Sequence, residues 1–144
     1  MPTSTASAVW NGKLKDGTGN FRAETSGAFQ GQYTFGTRFE GQKGTNPEEL
    51  LAAAHAACFS MALSGVLEKA GTPAERITTT AHCTVEKAEG GFRITKMRLE
   101  TRGRVSGADA AAFKRAAEDA VNGCPVSGAL RNNLVVELDA ALEG

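Results

Sequence analysis

Thr45-Asn46-Pro47-Glu48-Glu49-Leu50-Leu51-Ala52-Ala53-Ala54-His55-Ala56-Ala57-Cys58-Phe59-Ser60-Met61-Ala62-Leu63 decides how this chain is built. Asn46 is suited to cap a helix, Pro47 is preset for the first helical position, and Glu49 stands where a capping box reaches back. The helix should run to about Ala70, with Gly71 and Pro73 closing it. From Leu51 to Leu63 it is apolar on nearly every face, which predicts a central helix buried on several sides. Cys58 lies in that stretch, and His55, three residues earlier, shares its helical face.

Before this helix, residues 7–39 carry no helical period. Short runs such as Ala8-Val9-Trp10 and Gln32-Tyr33-Thr34-Phe35 alternate with turns at Asp16-Gly17-Thr18-Gly19-Asn20 and Ser26-Gly27, the pattern of a β-meander. After it, Ile77, Thr79, Ala81, Cys83 and Val85 alternate along one face of a strand. Glu89-Gly90-Gly91 turns, and Phe92 to Val105 returns. The in-out phase slips between Ile94 and Met97, which calls for a β-bulge. Ser106 is placed to cap a second helix with Asp109 as its third residue and an apolar stripe of Phe113, Ala116, Ala117, Ala120 and Val121. Gly123 ends it. Cys124-Pro125 starts a short helix to Leu130, and Leu134 to Leu138 forms a last strand. The order βββ, long α, ββ, α, short α, β predicts an α+β fold, and the 144 residues fit one domain, 1–144.

Lysine plus arginine and aspartate plus glutamate number 16 each, so no net field draws the chain to nucleic acid or to anionic membranes. The N-terminal residues lack a basic segment followed by an apolar core, so a cytoplasmic location is expected. In residues 50–66 alanine dominates and His55, Ser60 and Ser64 interrupt, short of the roughly 20 strongly apolar residues of a membrane span. Three cysteines without a Cys-x-x-Cys pair do not make a disulfide scaffold, and they offer too few ligands for a metal site.

Two sparse thiols in two different settings point instead to redox chemistry. A thiolate that attacks a peroxide O–O bond becomes a sulfenic acid and expels an alkoxide; a nearby arginine favours both the thiolate and the leaving oxygen. A second cysteine then closes a disulfide and protects the first. Cys124, at a helix start, has the stronger local argument for a low pKa and would by itself be the nucleophile. On spacing alone Cys58 reads first as a small buried side chain in an alanine-rich helix. His55 could support a thiolate, act as a base, join a metal site or pack as a satisfied core residue. Cys83 falls in register with the core face, and His82 points to the opposite, solvated one.

The stretch from Thr45 to Leu63, with Asn122-Gly123-Cys124-Pro125-Val126-Ser127 and Thr37-Arg38-Phe39, resembles the OsmC/Ohr family of thiol peroxidases, and its OsmC branch most closely. The resemblance implies an OsmC-like fold in an intertwined homodimer with active sites at the subunit interface. It implies Cys58 as peroxidatic thiol and Cys124 as resolving thiol, Arg38 as the thiolate-stabilising cation and Glu49 as the carboxylate that holds it. Glu49 and Cys58, nine residues apart, are about 13 to 14 Å apart along a helix, so Arg38 and Glu49 of one subunit should meet Cys58 of the other. The implied activity is reduction of organic hydroperoxides without metal, haem or flavin, reset by an external dithiol, with Phe39, Phe59 and Met61 as candidate pocket lining. The alternative is a non-enzymatic redox switch or an apolar-ligand-binding dimer on the same fold.

Overall fold

Asn46 caps the long helix as its side chain allows: Oδ1 accepts the Glu49 N–H at 2.8 Å, and Nδ2 donates to the Thr37 carbonyl at 3.0 Å. The Glu49 carboxylate accepts from the Thr45 hydroxyl, one residue before the cap. The computed structural model describes residues 1–143. Its order is β1 (Ala6–Asn11), β2 (Thr18–Ala23), β3 (Gln30–Tyr33), α1 (Phe35–Phe39), α2 (Pro47–Lys69), β4 (Arg76–Ala88), β5 (Gly91–Arg104), α3 (Ala110–Gly123), α4 (Pro125–Leu130) and β6 (Val135–Leu142). The α+β expectation holds, with one added element. The meander ends at Tyr33, and a helical turn, α1, follows because Thr34 and Thr37 close a reciprocal capping box.

These residues group into two compact units, Met1–Glu49 and Leu50–Gly144. In the first, β1, β2 and β3 form an antiparallel sheet in chain order. In the second, β4 and β5 form a long hairpin, and β6 lies parallel to β5 on its other side. The expected bulge is present: Thr84 pairs with Lys96 and Val85 with Ile94, leaving Thr95 as the extra residue.

The core belongs to the second unit. Phe59, Leu63 and Leu67, one helical face of α2, pack with Met97 and Leu99 of β5 and with Phe113, Ala117 and Ala120 of α3. Burying each large side chain contributes about 1.5–3 kcal/mol. Gly103 of β5 leaves room for the Phe113 ring, which a Cβ there would strike. The buried Thr101 is satisfied through Thr79, which also accepts from Ser60. Cys83 packs against this core and His82 faces outward beside Glu100, both as expected.

Helix ends differ in detail. Gly71, at φ +82°, ends α2, with the Thr72 N–H reaching back to the Leu67 carbonyl. On α3 the cap is Asp109, whose side chain accepts from the Ala112 N–H; Ser106 instead bonds Glu75. Asp109 stands one residue before the first helical turn, where its carboxylate reaches the unpaired N–H groups. By length and apolar composition α2 would suffice to cross a membrane, although its alanine-rich middle had argued otherwise. One of its faces is spent on the core just described, while Ala53, Ala57 and Met61 stay exposed.

Candidate active site

The thiols come together across the second unit. Cys58, in the middle of α2, and Cys124, between α3 and α4, have their Sγ atoms 3.0 Å apart despite 66 residues of separation. Cys124 ends one helix and begins the next: its N–H donates to the Ala120 carbonyl, and its carbonyl accepts from the Gly128 N–H. Pro125, at the first position of α4, fixes that turn. Cys124 is buried, whereas Cys58 is half-buried and is the thiol a small molecule can reach.

A proton between two sulfurs at this distance can sit on either. Burial pushes the Cys58 thiol up, and its hydrogen bond to Cys124 adds to that, against a lowering contact from the Val126 N–H. Burial also works against a Cys124 anion, but it is outweighed by hydrogen bonds from Cys58, from the Ser127 N–H and hydroxyl, and from the Val126 N–H. The Cys124 side chain closes no regular cap bond on α4; these donors still hold its pKa below the ordinary thiol value. Of the two thiols, Cys124 is therefore the one that ionises more readily. Local reasoning about a cysteine at a helix start anticipated this.

His55 is fully buried, and its Nε2 lies 2.6 Å from Ser127 Oγ. Burial lowers its pKa, so it is a neutral imidazole at neutral pH, and Nδ1 has no partner. The expected shared face with Cys58 exists, yet His55 is bonded to α4. Of its four sequence readings, the structure gives that of a packed histidine, with one ring nitrogen satisfied.

In the first unit, Arg38 Nε donates to Glu48 Oε1 at 2.8 Å, and the Glu48 side chain is only 5% exposed. The expected partner, Glu49, is turned away and exposed, bonded to Thr45. The correction follows from helix phase: one residue rotates a side chain by about 100°. Glu48 shares the inward face with His55 and Phe59, at steps of seven and eleven residues, and that periodicity was available in the sequence. Glu48 Oε2 is buried without a partner.

Arg38 also lies over the Phe39 ring, 4.9 Å from its centroid, a cation–π contact. Together with Trp10, Leu14, Tyr33 and Phe35 these two residues line a cavity of about 210 Å³. Phe39 thus lines a cavity beside Arg38 that contains no cysteine, whereas the expected pocket was one around the thiol. Phe59 is a core residue, and Met61 is 81% exposed. The other aromatic lining was not anticipated, although the crowding of Trp10, Tyr33, Phe35 and Phe39 into the first 39 residues was a signal.

The model of the family described as OsmC-like protein matches residues 40–139. Peroxiredoxin OsmC of Escherichia coli (strain K12) is 47% identical over 130 residues, covering 90% of this chain and 91% of that protein. An organic hydroperoxide resistance protein of Xanthomonas axonopodis pv. citri (strain 306) is 37% identical over 103 residues, 70% of each. The crystal structure of an organic hydroperoxide resistance protein from Elizabethkingia anophelis superposes with a TM-score of 0.77 at 26% identity and covers 99% of both chains. A family match over more than half the chain, relatives at these identities and a shared fold all agree: the chain belongs to the OsmC-like family.

Proposed function

We propose that this chain is a thiol-dependent peroxidase that reduces organic hydroperoxides to alcohols through a sulfenic acid and a Cys58–Cys124 disulfide. The observation that carries this reading is the 3.0 Å approach of the two sulfurs, one reachable and one buried. The Cys58 thiolate attacks the terminal peroxide oxygen; an S–O bond forms, the O–O bond breaks, and the alkoxide leaves to be protonated. Cys124 then attacks the Cys58 sulfur: an S–S bond forms and hydroxide departs, taking a proton to become water. An external dithiol reduces the disulfide, in keeping with a cytoplasmic setting.

The first step needs the thiolate on Cys58 rather than on Cys124, and Arg38, held by Glu48, is the cation suited to favour it there. Glu48 precedes Cys58 by ten residues of one helix, about 15 Å of rise, so the guanidinium that serves Cys58 comes from a second subunit. The apolar exposed face of α2, with Ala53, Ala57 and Met61, suits such a homodimer. The aromatic cavity beside Arg38 would take the organic part of the peroxide.

The test is to treat reduced protein with one equivalent of an organic hydroperoxide, map its cysteines by mass spectrometry, and then measure turnover with excess dithiol. A Cys58–Cys124 disulfide and consumption far beyond one equivalent support the proposal. A halt at one equivalent means a switch, and unchanged thiols mean a binder. Cys124→Ser should keep the first oxidation and expose Cys58 to sulfinic acid under excess peroxide; loss of the first step would reverse the two roles.

A further inference from the structure

His55 and Ser127 are fully buried polar side chains, bonded to each other across α2 and α4, that the peroxidase cycle above leaves without a task. Ser127 stands three residues after Cys124, at the start of α4. We infer that His55 and Ser127 form a fixed donor chain, His55 Nε2–H to Ser127 Oγ and Ser127 Oγ–H to Cys124 Sγ, which holds Cys124 as the attacking thiolate. The inference rests on the reading of Cys124 as resolving thiol and assigns two positioning residues to that step.

The direction of the chain follows from counting protons. Ser127 has one hydroxyl proton. If it goes to His55, none is left for the sulfur; if it goes to the sulfur, His55 must donate through Nε2–H. The second arrangement suits the place of Ser127, the third residue of α4 after its N-cap Cys124, with His55 Nε2 at 2.6 Å on its other side, and it agrees with Ser127 favouring the Cys124 anion. It puts the lone pair on Nδ1, the ring atom that has no partner. A neutral ring suffices, as burial requires. The groups acting on the Cys124 sulfur are Cys58 from α2 and Val126 and Ser127 from α4; none carries a permanent charge, so the hydroxyl is not outweighed by an ion.

In the step served, the thiolate held by this chain displaces hydroxide from the Cys58 sulfenic acid. The Ser127 proton stays on Ser127 and its hydrogen bond is released as the S–S bond forms. The chain thus favours the anion before attack and resets without net proton transfer. Holding the rotamer of a buried hydroxyl with a second buried donor costs no reorganisation at the moment of attack.

The test uses Cys58→Ala/Cys83→Ala protein, in which Cys124 is the sole thiol, titrated by its ultraviolet thiolate absorbance. Ser127→Ala should raise the titration midpoint by about one pH unit. Ser127→Thr should restore it. His55→Phe should shift it in the same direction, and His55→Gln, which keeps an N–H near Nε2, should shift it less. In the otherwise unmodified chain Ser127→Ala should slow disulfide closure after one equivalent of cumene hydroperoxide by up to about tenfold. An unmoved midpoint in folded Ser127→Ala protein overturns the inference. If the parent chain forms no disulfide, the functional proposal fails, while the titration still decides the donor chain.

Discussion

The first 49 residues and the rest of the chain are built on opposite terms. The first unit holds six of the nine aromatic side chains, yet Ala23 is its one buried apolar residue among those described; Val9, Leu14 and Phe29 stay largely exposed. The second unit holds all three thiols and a core of phenylalanine, leucine, methionine and alanine closed around α2. A unit of this size struggles to build a core alone. What the first unit builds is an arginine fixed by a buried glutamate beside an aromatic cavity. The second unit owns the core and both paired thiols; the first owns the arginine and the aromatic cavity, and by the functional proposal a second subunit brings the two sets together.

Substitutions should separate the two. Phe59→Ala, in the closed core, should cost about 3–5 kcal/mol in chemical denaturation. Phe29→Ala should cost under about 1 kcal/mol. Equal losses would refute the assignment of the core to the second unit. Arg38→Ala should slow peroxide reduction by about 10²-fold or more in stopped-flow assays of the folded variant. An unchanged rate removes Arg38 from the mechanism. Glu48→Gln should slow the same step by about tenfold, the scale of one charge-assisted hydrogen bond, and Glu49→Gln by less than about twofold. A larger effect at Glu49 would restore the pairing that the sequence suggested. The smallest effect is on pH dependence. His55 has a folded-state pKa below its ordinary 6.5, so the unfolded chain binds more protons in mild acid. Stability should be constant above that value and fall as pH drops below it, by at most about 1.4 kcal/mol per pH unit. His55→Gln should flatten the slope in urea titrations from neutral pH to pH 5.

Much of this was legible in the residues, because most signals were local. Asn46-Pro47 starts α2, the Ile94 to Met97 phase slip marks the bulge, and Cys124-Pro125 starts α4. What escaped was decided by competition among neighbours. Thr34 and Thr37 turn the chain into α1 because their side chains satisfy each other, which outweighs the extended pattern before them. Glu48 and Glu49 are chemically alike, and only the phase of a helix with a buried face separates them. The 3.0 Å meeting of Cys58 and Cys124 depends on tertiary placement, which no local pattern encodes.

That placement has a temporal side. Cys124 sits within the crossover that leaves β5, passes through α3 and α4 and returns to pair with β5 as the parallel strand β6. Parallel pairing across such a connection joins residues distant in sequence and forms slowly. Until this connection packs, the His55–Ser127 bond that ties α4 to α2 is unmade, and the two sulfurs remain ordinary, separately wandering thiols. On the functional proposal, redox competence is therefore a property of the finished fold: a half-folded chain meeting peroxide would hold no ready-made couple, and formation of a Cys58–Cys124 bond would report that the crossover has found its place.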